Sequence, residues 1–157
     1  MRRYLLASLV AVLCGGGAFA LAATASPPKP GGSYRGKTTQ DRGVTLRVGR
    51  SGTVVTDFRI SRDMTCRKGD DLSSIDGRSR LVRSRIQIDR NGHFHGHLPV
   101  VPAGGSLVRR GRLCIRGRFT RGGRVVRARY RERLRLRDGA LCGTGSIRLS
   151  ARLVRHR

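Results

Sequence analysis

Three observations predict an all-β domain. Apolar and polar residues alternate with period two along most of the chain, turn dipeptides separate the alternating runs, and no segment sustains a helical period. The expected architecture is an antiparallel β-sandwich of about eight short strands, mostly in meander order, with a small closed β-barrel as the alternative. Both bury one face of each strand and wet the other, so alternation alone does not separate them.

Residues 1–25 read as a signal peptide. Arg2 and Arg3 precede an apolar run from Leu5 to Leu13, and Ala23, Thr24 and Ala25 supply the small residues of a cleavage site before Ser26. The alternative is a retained anchor, since Tyr4 to Ala23 carries no charge, but Gly15, Gly16 and Gly17 interrupt that run. Residues 26–33 (SPPKPGGS) read as a Pro/Gly linker without capacity to pack. A single β domain is expected over 34–157.

Within that domain, Val44, Leu46 and Val48 alternate with Thr45 and Arg47, and Gly49 to Gly52 turns the chain. Val54, Phe58 and Ile60 form the next apolar face. Arg62 to Arg78 reads as a polar loop carrying Cys66, Asp70, Asp71 and Asp76. Val82, Ile86 and Ile88 resume the face, and Asn91-Gly92 is a strong hairpin signal before Phe94 and Leu98. A loop is expected from Pro99 to Gly105. Leu113, Ile115 and Phe119 then alternate with arginines, Gly122-Gly123 turns, and Val126, Ala128, Tyr130, Leu134 and Leu136 follow. After Asp138-Gly139, the series Ile147, Leu149, Ala151 and Leu153 closes the pattern.

Charge is the most informative property. The formal net charge is +25, or +23 once Arg2 and Arg3 leave with the signal. Arginine outnumbers lysine 31 to 3, as codon bias in a GC-rich genome would produce, but such bias does not account for only nine acids. Arg127, Arg129, Arg131, Arg133, Arg135 and Arg137 share one parity. If the flanking hairpins form, Arg112, Arg116 and Arg118 lie on one side of this ladder and Arg148 and Arg152 on the other. Like charges opposed across strands destabilise a sheet, so this face seeks anions. Guanidinium groups pair bidentately with phosphate and carboxylate, and the expected partner is an anionic cell-envelope polymer or another envelope protein. A solvated polar face is the bland alternative. Sequence-specific nucleic-acid binding lacks support, because Phe58, Phe94, Phe119 and Tyr130 have core parity and leave no stacking platform.

His93, His95 and His97 share one side of a strand, and an H-x-H pair is a weak candidate for zinc or copper. His93 and His97 would lie about 13 Å apart, too far for joint ligation, so no metal and no cofactor is expected. The acidic segment 69–77 matches no calcium-loop spacing. No catalytic motif is present, and the chain reads as a non-enzyme. A barrel carrying a small apolar ligand is a further alternative.

Of four cysteines, Cys14 lies in the signal segment, and Cys66, Cys114 and Cys142 remain. An exported protein meets an oxidising compartment, so one disulfide is expected with one thiol left over. Cys114 sits on the wet parity between Arg112 and Arg116, where neighbouring cations favour a thiolate.

The chain also resembles a large family of small exported actinobacterial proteins without assigned function. The resemblance rests on Tyr34-Arg35-Gly36-Lys37-Thr38-Thr39-Gln40, Cys66, Gly92-His93-Phe94, Gly117-Arg118-Phe119, Cys142-Gly143-Thr144-Gly145 and Ala151-Arg152, in that order. It implies an all-β, extracytoplasmic domain with Cys66 bonded to Cys142, and no chemistry. Cys114, the three histidines and the dense arginine depart from its pattern.

Overall fold

The computed structural model describes residues 24–100 and 107–155, with 80–85 and 155 in backbone only. The signal segment up to Ala23, Cys14 within it, and most of the loop expected after Pro99 lie outside the described residues. Nine strands form: β1 (Ser33–Thr38), β2 (Gly43–Val48), β3 (Val54–Lys68), β4 (Asp71–Gln87), β5 (His93–Val100), β6 (Val108–Thr120), β7 (Val125–Leu136), β8 (Leu141–Gly143) and β9 (Ile147–Arg155).

The sheet runs β4-β3-β2-β1-β9-β7-β6-β5, every neighbour antiparallel. The three residues of β8 decide the architecture. Cys142 pairs with Cys66 of β3 on one side and with Leu134 of β7 on the other. This closes β3, β2, β1, β9, β7 and β8 into a six-stranded barrel, with β4, β5 and β6 as extensions. The closed barrel is therefore the form taken, in place of two facing sheets. Closure removes the edges that an open sheet would leave unpaired.

Cys66 and Cys142 are joined by a disulfide across 76 residues of sequence. Fixing the ends of such a loop restricts the unfolded chain by roughly 4 kcal/mol in the chain-entropy model. The bond sits on the closing pair itself, so it reinforces the weakest join in the ring.

The polar segment after Arg62 is not a loop. It is the distal half of a long hairpin, with Arg62 to Lys68 paired residue by residue against Asp71 to Gly77 around Gly69 and Asp70. Gly69 takes φ +60°, a left-handed conformation that glycine adopts without steric cost. On β3 the arm buries Arg62, Met64 and Cys66 in alternation, but on β4 opposite, Leu72 and Ile75 stand in solvent, so the sequence shows no continuous apolar face there.

The core holds the residues that alternation selects, including Val44, Leu46, Phe58, Ile86, Phe94, Leu113, Ile115, Phe119, Val126, Tyr130 and Leu149. Val54 is an exception. A bulge between Val55 and Asp57 inserts one extra residue, so Val55 is buried instead. The side chain of Val82 lies outside the described residues. Tyr34 joins the core as well, edge-on to Phe119 at 5.2 Å, and its hydroxyl donates to Gly123 O at 2.6 Å.

Residues 26–33 pack, contrary to the linker expectation. Ser26 N donates to Phe119 O at 2.9 Å, and Pro28 is buried. Room for this strap comes from two missing side chains. A Cβ on Gly92 would meet Ser26 O at 2.0 Å, and one on Gly123 would meet Pro27 O at 2.3 Å.

Candidate anion-binding face

Strand register sets the arginine face. The β6–β7 ladder opposes Arg112 to Arg133, Arg116 to Arg129 and Arg118 to Arg127, and the β7–β9 ladder opposes Arg129 to Arg148. Each of these side chains is exposed, because the alternate positions Leu113, Ile115, Ala128, Tyr130 and Leu149 are taken by the core. Among the described residues, none of the eleven expected arginines forms an ion pair with an acid.

The face is not one uniform ladder. Arg116, Arg118, Arg127, Arg129 and Arg148 line a groove of about 1220 Å³ on the outside of β1, β9, β7, β6 and β5. Lys37 closes one end, and His93 and His95 the other. Two rows of side chains cross the strands here. One runs Lys37, Ser150, Arg127, Arg118, His93, and the next carries Arg148, Arg129, Arg116, His95. Neighbouring strands lie about 4.8 Å apart and the rows about 7 Å apart, so the cations form a two-dimensional grid. The row between them, Thr38, Leu149, Ala128, Gly117 and Phe94, forms the floor.

The other six arginines lie elsewhere. Arg131 borders a smaller cavity with Arg116 and Arg129. Arg133 and Arg135 flank β8. Arg112 of β6 sits opposite Pro99 of β5. Arg137 lies past the end of β7, where its N–H bonds Leu107 O. Arg152 faces Val125 on one side and Arg35 on the other. Lys37 was not singled out from the sequence. Its parity becomes visible only once β1 is known to pair with β9, opposing Lys37 to Ser150.

Two acids border the groove. Asp41 takes Lys37 Nζ at 2.7 Å. Asp89 lies 3.6 Å from His93 Nδ1, and its Oδ1 accepts the His93 and Asn91 amides at 2.9 and 2.8 Å. The His93 amide bond leads the effects that hold the Asp89 carboxyl below its ordinary value. Asp89 therefore marks an anionic boundary at the histidine end.

The histidines do not gather around one point. His95 and His97 have ring centroids 6.4 Å apart, while His93 turns to Asp89. Among the described residues, no three His, Cys, Asp or Glu side chains are placed to hold a metal ion.

Inside the barrel the sequence reading missed a charged cluster. Glu132 has inward parity and is fully buried. Its carboxylate accepts Arg62 Nε at 2.6 Å, the Tyr130 hydroxyl, and Ser79 Oγ at 3.1 Å. Thr144 secures the backbone by accepting from Glu132 N at 2.9 Å. Burial, then the neighbouring Glu132 charge, drives the Tyr130 hydroxyl well above the usual phenol range. Gly77 makes room for Arg62, since a Cβ there would lie 2.5 Å from Nη1. The inward parity of Glu132 was the sequence signal. Its partner was hidden because Arg62 stood at the edge of an apparent loop.

Among known proteins, no family model, no curated protein and no solved structure matches this chain. Among the described residues, no helix is long and apolar enough to cross a membrane.

Proposed function

We propose that this protein is an exported, non-enzymatic binding module that holds an anionic cell-envelope polymer in the groove across β1, β9, β7, β6 and β5. The observation that carries this reading is the grid of Arg116, Arg118, Arg127, Arg129 and Arg148, exposed in a concave surface and, among the described residues, without acidic partners. Directly opposed arginines repel, and anions placed between them reverse the sign of that interaction. A polymer with regularly spaced phosphates or carboxylates satisfies several guanidinium groups at once, which a small anion does not. The disulfide supports an extracytoplasmic setting. The motif resemblance points the same way.

The test is binding of the purified domain to teichoic-type polyphosphate, acidic polysaccharide, anionic vesicles and duplex DNA over a salt series. Saturable preference for one polymer near physiological salt is expected. The variant R127Q/R129Q/R148Q should lose most of it, and R47Q/R50Q/R67Q, which removes the same charge elsewhere, should retain it. Equal weak binding to all four, lost at modest salt in both variants, refutes the groove as a site.

A second reading, an interaction domain for another envelope protein, would show as one protein partner retained at high salt. The apolar-ligand reading gains nothing from the interior, which two ring clusters occupy, Tyr34, Phe119 and Phe94 in one and Phe58 with Tyr130 in the other.

A further inference from the structure

Cys114 is the one free cysteine among the described residues, and it is not isolated. It lies on β6 directly across from His97 of β5 and Arg131 of β7. Its Sγ is 3.0 Å from His97 Nδ1. Both line a cavity of about 620 Å³ with His95, Arg116, Arg129 and Arg131. A thiol in hydrogen-bond reach of an imidazole is a nucleophile beside its base. Here the pair opens into a pocket whose other charged walls are cationic. Titratable or charged groups face it from β5 (His95, His97), β6 (Arg116) and β7 (Arg129, Tyr130, Arg131).

We propose that Cys114 and His97 form a thiol-exchange site that captures small anionic disulfides. His97 takes the thiol proton and becomes imidazolium. The thiolate attacks one sulfur of R–S–S–R, the S–S bond of that molecule breaks, and RS⁻ leaves, so Cys114 ends as a mixed disulfide. The incoming disulfide is the oxidant, and no other is needed. Arg116, Arg129 and Arg131 select carboxylated or phosphorylated R groups by charge, as neutral disulfides gain nothing from them. This site shares His95, Arg116 and Arg129 with the groove but differs in chemistry, since it requires the Cys114 thiol and the His97 imidazole, neither of which lines the groove.

The experiment uses the full domain with its Cys66–Cys142 bond intact and follows release of one equivalent of thiol at several pH values. The probes are a dicarboxylated aromatic disulfide and a neutral one. Cys114 should react with the dicarboxylated probe at pH 6 about tenfold faster than in H97Q. The preference over the neutral probe, about fivefold, should fall in R131Q. C114S should release no thiol, and mass spectrometry should place the adduct on Cys114. Equal rates in H97Q and the unaltered protein, or no preference between probes, overturns the proposal. So does a covalent dimer through Cys114 in place of the mixed disulfide.

Discussion

Replacing Arg62 with methionine should expose how the barrel tolerates a buried charge. Arg62 and Glu132 are 5% and 0% exposed at their side chains, with 2.6 Å between Nε and Oε2. Among the described residues Arg62 Nη1 has no hydrogen-bond partner, so the pair carries an unsatisfied donor there. In R62M the Glu132 carboxylate keeps Tyr130 and Ser79 as donors but loses its counter-charge. Breaking a buried pair from one side costs about 3–5 kcal/mol, because the remaining charge stays buried and uncompensated. Against a total stability of roughly 5–15 kcal/mol, that is a large fraction.

The double variant R62M/E132Q removes both charges while an amide oxygen still accepts from Tyr130 and Ser79. It should recover at least about 2 kcal/mol relative to R62M, since paired buried charges often contribute little net stability. Urea unfolding with the disulfide intact measures this, with unchanged m values confirming that the same surface is exposed. If the two substitutions are simply additive, the cluster is not coupled and the reasoning fails.

Three further outcomes follow from the same geometry. Burial raises both Tyr34 and Tyr130, the two tyrosines of residues 26–157, which are the protein to use for this test. The unfolded chain ionises near pH 10 while the folded one retains its protons, so stability is full below that pH and falls as pH rises above it. Phenolate absorbance should therefore appear only with loss of folded circular dichroism, and phenolate formation in the folded state would contradict this. The C66S/C142S variant should fold to the same barrel but lose about 4 kcal/mol in urea unfolding, and a loss below about 1 kcal/mol would show that β8 closes the ring unaided. Because Arg35, Arg112, Arg116, Arg118 and Arg129 directly oppose other arginines, raising sodium chloride from about 0.01 to 1 M should raise the melting temperature. A flat or falling melting temperature would mean the cations repel less than their register implies.

Period-two alternation was enough to establish the β class, most inward residues of the strands it identified, with Val54 an exception, and the outward parity of the arginines. These properties depend only on the pleat, which sends successive side chains to opposite faces whatever the strand pairs with. The inward parity of Glu132 was readable for the same reason. Asn91-Gly92 does turn the chain, with Gly92 at φ +81°, but instead of a full hairpin β4 and β5 meet there through the isolated Ile88–Phe94 bridge.

What pairs with what was decided only by the tertiary structure. Leu141–Gly143 is too short to show a period, yet it joins β3 to β7 and makes a barrel. The arm beyond Arg62 buries Met64 and Cys66 on one face of β3, but the buried Arg62 before them and the exposed Leu72 and Ile75 on β4 break the apolar alternation that a strand would show. Cys114 meets His97, Arg62 meets Glu132, and Lys37 joins the arginine grid through register across strands distant in sequence. Local sequence carries the face on which a side chain lies. Only closure of the sheet determines its neighbours, because those contacts come from strands that no short window contains.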